Sequence, residues 1–366
     1  MHISSQIATE LLSSLESTSY ACTELIPLSG GYVNYVYLGK LVAALPTTPP
    51  TTQIVIKHAE PYIATHSAWK SPVTRIRYEA LMLEAINGRI QTNFDKATTS
   101  SPYLYQFFPQ INTTALSELP DSIQLQNCLS DQNLNEANVF RIDMSLGQWM
   151  RRFHEWGSAP EQASLLRKMK GNTGMAEMKC NITYGRLKDV ITMFPAIFEG
   201  SIEIFENLAQ RVKAEMETEG ARSQLIHGDF DCRKWELSQV GSAASNIGQM
   251  FAGLYSLAHF QSITAGSAMI ASFSAGYGAL TDELAFRVIS EFGTYLLSWP
   301  CRELGDVGDS QVKEILNLGR NMIIHAERQD KAWFRGGVDS QFYRSFLDYS
   351  LMIWFGLSMA KRSYQA

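Results

Sequence analysis

Apolar residues are spaced in two ways along this chain, and the change of spacing divides it. Between residues 20 and 60 they come in short runs bounded by turn residues: Leu25-Ile-Pro-Leu-Ser-Gly-Gly, Val33-Asn-Tyr-Val-Tyr-Leu and Ile54-Val-Ile-Lys57 read as strands. The stretch Leu45–Gln53 (LPTTPPTTQ) separates the last two and reads as turn or loop, because paired prolines cannot donate to a sheet. From Arg75 to Ile86 (RIRYEALMLEAI) the period lengthens, and Ile76, Leu83 and Ile86 predict a helix. Residues 91–125 return to loop and short-strand character (SPYLYQFF, SELPDSIQL). Beyond about residue 140 the chain turns helical. Met144–Trp156 puts Leu146, Trp149, Met150 and Phe153 on one face, and Ser245–Tyr277 and Gln311–Gln329 also read as helical. No internal repeat recurs at a fixed period. A small β-rich front and a large α-rich back make an α+β, two-lobed pattern.

The bulk composition narrows the class. A length of 366 residues, 45% hydrophobic and 18% charged, has the balance of a globular chain with ample core. A formal charge of −5 offers no electrostatic footprint for nucleic acid. The five cysteines (Cys22, Cys128, Cys180, Cys232, Cys301) are scattered and odd in number, which predicts reduced thiols in a cytoplasmic protein rather than a disulfide framework. The N-terminus lacks the basic-then-apolar order of a secretory signal. Gln261–Thr281 is free of charge, but its Ser, Gly and Thr content and unflanked ends predict a buried core helix, with no membrane partner.

Four local signals bear on chemistry. A Gly30-Gly31 turn lies between two strands, where the absence of Cβ atoms allows backbone amides to approach a phosphate. Lys57 ends an apolar strand, a position from which an ammonium can reach a phosphate. The following helix carries Glu79 and Glu84, five residues and about 140° apart, so only one of them can face inward to pair with Lys57. Finally, Leu225-Ile-His-Gly-Asp-Phe230 runs an apolar strand into His-Gly-Asp. Each has an ordinary reading alone: a hairpin turn, a solvated lysine, a solvated helix face, another turn. Their order and spacing, with Lys57 following Gly31 by 26 residues and His-Gly-Asp far downstream, are those of a kinase-like phosphotransferase.

With GGYVNYVY, IVIKHAEP, SELPDSIQL, LGQWMRRFHEW, LIHGDF and WELSQVGSAASNIGQMFAGLY, the sequence resembles the aminoglycoside phosphotransferase and choline-kinase-like family, in particular its fungal small-molecule type, over roughly residues 25–260. That resemblance implies a protein-kinase-like bilobed fold, with an N-lobe at 1–116 and a helical C-lobe at 117–366. It implies ATP- and magnesium-dependent phosphoryl transfer to a hydroxyl of a small-molecule substrate. Gly30, Gly31 and Asn34 would cover the phosphates, Lys57 would hold them while paired with Glu79, and adenine would lie near Ser117–Leu119. Asp229 would accept the proton of the attacking hydroxyl.

One block departs from the family pattern. The family continues His-Gly-Asp-x-x-x-x-Asn and then, past a hairpin, supplies a second metal-binding Asp before Trp-Glu. Here only Asp231, Cys232, Arg233 and Lys234 separate Phe230 from Trp235, so Lys234 stands where a metal ligand is expected on either reading. The carboxylates left between Phe230 and Asp282 are Asp231 and Glu236, and Asn246 stands where the family carries an Asp that braces the catalytic loop. Three readings stay open. The chain is a kinase-fold protein kept for ligand binding, scaffolding or another reaction; or a coding stretch has been lost from the gene's description; or Asp231 or Glu236 serves as a substitute metal ligand. Among the remaining residues, His154 reads as a helix-face residue beside Trp156, and Cys232 as an incidental loop thiol. His58, His66, His259 and His325 lack metal-ligand spacing.

Overall fold

The computed structural model describes residues 2–29, 31–95, 97–119, 125–130, 136–217, 224–230, 239–263, 265–298 and 310–336. Helix α1 (His2–Leu15) leads into β1 (Cys22–Pro27), β2 (Tyr35–Leu45) and β3 (Thr51–His58). Two short strands, β4 (Tyr62–Ile63) and β5 (His66–Lys70), precede α2 (Arg75–Ile86). After it come β6 (Gln91–Phe94), β7 (Ala97–Ser100), β8 (Leu104–Phe108) and β9 (Thr113–Ser117). One antiparallel sheet holds five of these strands in the order β1-β2-β3-β9-β8, so β3 lies at its centre.

The period of two along β3 decides what each face receives. Ile54 and Ile56 are fully buried under α1, whose Ile7, Leu11 and Leu15 recur every fourth residue and pack with Leu25, Tyr37 and Ala115. Val55 points the other way, toward Ala80 and Leu83 of α2, with Leu104 and Leu116. Lys57 shares the face of Val55 and therefore also faces α2.

The helical lobe comprises α3 (Leu125–Leu129), α4 (Glu136–Ser158), α5 (Ala163–Met169), α6 (Thr173–Cys180), α7 (Arg186–Met193), α8 (Pro195–Phe198) and α9 (Ile202–Glu217). A small hairpin of β10 (Gln224–Ile226) and β11 (Gln239–Gly241) follows. The remaining helices are α10 (Ala243–Gln261), α11 (Ala265–Tyr277), α12 (Asp282–Ser298), α13 (Ser310–Glu327) and α14 (Lys331–Gly336). Leu146, Trp149, Met150 and Phe153 form the buried face of α4, as their spacing predicts, against α10, α11 and α12. The same core takes in Met82 and Ile86 of α2, so α2 belongs to both lobes. Hydrogen bonds from the indole of Trp149 to the Ile90 carbonyl (3.1 Å) and from Arg152 to the Gln91 carbonyl (2.7 Å) fix the junction.

The α+β, two-lobed expectation holds, and α2 has the predicted bounds. Three local expectations are corrected. Strands β2 and β3 run into both ends of the Leu45–Gln53 stretch, leaving a shorter turn. Val33 and Asn34 lie before β2 rather than in it, because both bind Arg75. The helical stretch Ser245–Tyr277 is two helices, broken where Ser262 adopts a left-handed conformation with φ of 56°. Helix α1 is an addition that its serine-rich sequence did not announce. Among the described residues no helix is long and apolar enough to cross a membrane, and the uncharged stretch carries α11, with Met269, Ile270 and Phe273 in the core.

Asp143 of α4 is wholly buried between the apolar Val139 and Leu146, and neither carboxylate oxygen accepts a hydrogen bond. Burial pushes its pKa well above the usual carboxylate range. The folded chain thus keeps a proton that the unfolded chain loses, and stability falls as pH rises from about 4. Asp143→Asn is expected to match the parent near pH 4 and to melt at a higher temperature at pH 7, in thermal unfolding across that range.

Candidate active site

The side chain that β3 sends toward α2 meets a partner there. Lys57 Nζ donates to Glu79 Oε1 at 2.7 Å, and both residues are buried. Of the two glutamates open to the sequence, α2 turns Glu79 inward and leaves Glu84 exposed. Flanking strands hold the lysine in place, since Lys57 pairs with Val36 on one side and Thr114 on the other.

The glycine turn lies beside this pair, just ahead of β2. A Cβ on Gly31 would stand 2.7 Å from the Asn34 carbonyl oxygen and 2.9 Å from a Val36 methyl, so the chain is drawn in too tightly for any other residue. Asn34 is buried, and its Oδ1 accepts from Arg75 Nε at 2.9 Å. The guanidinium of Arg75 also donates to the carbonyls of Glu60 (2.9 Å), Val33 (3.2 Å) and Tyr62 (3.3 Å), stapling the turn to the start of α2. Gly30 lies outside the described residues. Ser117 ends β9 opposite Ile54, and Leu119 beyond it is exposed.

Across from the sheet, β10 delivers His227, Gly228 and Asp229. Gly228 has φ of 85°, and a Cβ there would meet the Gln239 side chain at 2.8 Å. His227 is half-buried, and its desolvation with the ammonium groups of Lys179 and Lys57 nearby lowers its pKa to about 3. It is therefore neutral and unsuited to act as a base. The Lys57 ammonium thus lies within electrostatic reach of His227.

Helix α10 braces the turn with two amides. Asn246 Oδ1 accepts from the Gly228 N–H at 3.1 Å, and its Nδ2 lies 3.0 Å from His154 Nε2. One turn on, Gln249 Nε2 donates to Asp229 Oδ1 while its Oε1 accepts from Lys179 Nζ at 2.7 Å. Lys179, from α6, also donates to the Gly228 carbonyl and lies over the Tyr295 ring. His154 packs on its helix face as expected: it is buried, its ring tilted against Phe153, with Nδ1 2.8 Å from the Tyr277 hydroxyl.

Next to the turn opens a cleft of about 1120 Å³ between α6, α9, β11 and α12. Lys179, Tyr184, Glu215, Gln239, Arg287 and Glu291 give it a mixed lining. Tyr184 donates to the Glu291 carboxylate at 2.6 Å, and Arg287 grips Glu215 through both of its terminal nitrogens (2.6 and 3.1 Å). Burial raises the pKa of Glu291. Asp231 and Glu236 lie outside the described residues, as do Cys232 and Lys234. Among the described residues, no group of three His, Cys, Asp or Glu side chains is placed to hold a metal ion.

Sequence reasoning named Lys57, Glu79, Gly31 and Asp229 as candidates, and the structure pairs the first two; it did not name Gln249, Lys179 or Arg75, whose hydrogen bonds tie these segments together. Gln249 had a signal, since it sits three residues after Asn246 on one helix face. Lys179 had none.

A buried charge loses its compensation when its partner is removed, at a cost of about 3–5 kcal/mol. Glu79→Leu is expected to destabilise the fold by about that much, and Lys57→Met combined with it to recover most of the loss, measured by urea unfolding.

No protein-family model matches the chain. It is 25% identical over 363 residues to the phosphotransferase FrzJ of Cladobotryum sp, covering 90% of this chain and 94% of that protein. It is 21% identical over 291 residues to the 4-hydroxytryptamine kinase of Psilocybe cubensis, covering 74% and 79%. Similar solved structures include a choline kinase from Cryptosporidium parvum, with 10% identity, a TM-score of 0.45 and coverage of 93% and 99%. An ethanolamine kinase from Plasmodium vivax has 13% identity, a TM-score of 0.43 and coverage of 83% and 81%.

Proposed function

We propose that this chain, a relative of fungal small-molecule phosphotransferases, transfers a phosphoryl group from ATP to a hydroxyl of a small molecule held in the cleft of the helical lobe. The observation that carries this reading is the buried Lys57–Glu79 pair in the same fold as an Asp229 whose carboxylate is oriented by Gln249. A lysine fixed by a carboxylate at the back of a nucleotide cleft serves to hold phosphates. A carboxylate held in one rotamer serves to orient a hydroxyl and take its proton.

ATP supplies the group transferred, and the residues present suit it. Gly31 lets the turn close tightly against Asn34 and Val36 ahead of β2, Lys57 offers the ammonium, and the Ser117–Leu119 edge offers main chain to a base. Asp229 positions the acceptor oxygen and accepts its proton as attack proceeds. The cleft beside it takes the body of the acceptor, with Glu291 and Tyr184 on the far wall. Its mixed polar and apolar lining supports a hydroxylated metabolite of modest size; an aminoglycoside is one candidate among several. The thiols Cys22 and Cys180 are unlinked, in keeping with a cytoplasmic setting.

Among the described residues no three His, Cys, Asp or Glu side chains gather at one point, and Asp231 and Glu236, the candidate magnesium ligands, lie outside them. The shortage between Phe230 and Trp235 favours a second reading, in which the fold binds nucleotide or metabolite without transferring phosphate.

The two readings separate in one set of measurements on the purified chain. Thermal shifts with ATP, with and without magnesium, are combined with transfer of labelled phosphate to choline, ethanolamine, hydroxytryptamines and aminoglycosides. Phosphotransfer predicts magnesium-dependent stabilisation, a labelled product, and a fall in kcat of about 10²–10⁴-fold for Asp229→Asn with the KM for ATP little changed. Stabilisation by ATP that is indifferent to magnesium, without product, establishes the second reading. No response to ATP at all overturns phosphotransfer and any nucleotide-binding role.

A further inference from the structure

The brace behind the His-Gly-Asp turn runs deeper than α10, and its hydrogens can be assigned from the donors that have no choice. The Gly228 N–H can only donate, so the atom of Asn246 that faces it at 3.1 Å is the carbonyl Oδ1. The amide nitrogen Nδ2 then points at His154, and an NH2 group can only donate as well. His154 Nε2 must therefore present its lone pair. A neutral imidazole with a bare Nε2 carries its proton on Nδ1, which gives it to the Tyr277 hydroxyl 2.8 Å away. Burial and the neighbouring Arg151 guanidinium keep the ring uncharged, lowering its pKa to about 3. Asn246 Nδ2 also donates to Met150 Sδ at 3.7 Å, a weak acceptor.

We infer that His154 is a positioning residue for the proposed phosphotransfer. Held by Tyr277 of α11 as the Nδ1-protonated tautomer, it fixes the Asn246 amide in the orientation that receives the Gly228 N–H, and through it the backbone that presents Asp229. The inference rests on the proposed reaction for its catalytic consequence, but the relay itself is a property of the fold.

The relay explains why an amide stands at position 246. A carboxylate there would accept from Gly228 equally well, but its second oxygen would face the Nε2 lone pair, two acceptors in contact. Asn246 and the Nδ1–H form of His154 are thus a matched pair. An Asp at 246 requires a proton on Nε2. His154 and Asn246 lie 92 residues apart, and neither touches the acceptor cleft.

The test uses the full chain with histidine labelled in nitrogen-15. In the parent, His154 is expected to show an Nδ1–H, Nε2-bare spectrum, and Asn246→Asp to move the proton to Nε2 or charge the ring. His154→Phe removes the acceptor. Amide exchange in the peptide containing Gly228 is then expected to accelerate about tenfold, the size of one lost hydrogen bond. With it, kcat should fall more than the KM for ATP. His154→Gln, whose carbonyl oxygen can accept from Asn246, is expected to restore most of both. A parent His154 protonated on Nε2, or an unchanged tautomer in Asn246→Asp, overturns the inference. So does His154→Phe with unaltered exchange at Gly228. If His154→Phe does not fold, the spectra of the parent and Asn246→Asp decide alone. If the chain transfers no phosphate, the proposed reaction fails while the spectra and exchange still decide the relay.

Discussion

The burial of a single lysine organises this molecule. Lys57 sits at the centre of the five-stranded sheet, where solvent cannot reach its ammonium, and an isolated charge in such a place is not sustainable. Glu79 must therefore come within hydrogen-bonding distance, and that demand sets the rotation of α2 about its axis. Once α2 is so turned, Arg75 at its start faces the turn before β2, and Met82 and Ile86 near its end face the helical lobe. One ion pair thus ties together the glycine turn, the sheet and the junction between lobes. Such a pair adds little net stability, because desolvation offsets most of the attraction. What it provides is a cation held in one place.

The opposite wall is built on a different principle. The His-Gly-Asp turn is held by neutral amides on α10, with Asn246 on the backbone of Gly228 and Gln249 on the carboxylate of Asp229. Neutral groups suit this position, since Lys179 and Lys57 already bring positive charge and a further carboxylate would draw on it. Lys179 bridges the turn and the adjoining cleft, so the charge beside Asp229 depends on α6 as well as on the turn itself.

Legibility followed the range of the interactions. The bounds of α2 could be read directly because helical period is local. Lys57 could be singled out because it ends an apolar run, but the choice between Glu79 and Glu84 needed the sheet, since either is equally placed in sequence. The break at Ser262 escaped notice because an uncharged run of small residues has no periodic signal to interrupt. The reading of His154 as a helix-face residue beside Trp156 left its hydrogen-bond partners open. The face it occupies is buried by α10 and α11, which lie about a hundred residues further on.

By itself, then, the sequence determined which residue types are available and in what order: a close-approach glycine, a strand lysine, a helical carboxylate and a His-Gly-Asp turn, in an α+β chain. It also determined that the segment after Phe230 is too short for the usual second set of carboxylates. The tertiary structure decided which of two glutamates meets the lysine, which amides brace the turn, and which tautomer a buried histidine carries. Those outcomes depend on contacts between segments far apart in the chain. Burial there confines each donor to the few acceptors within reach, and no local pattern of residues encodes that pairing.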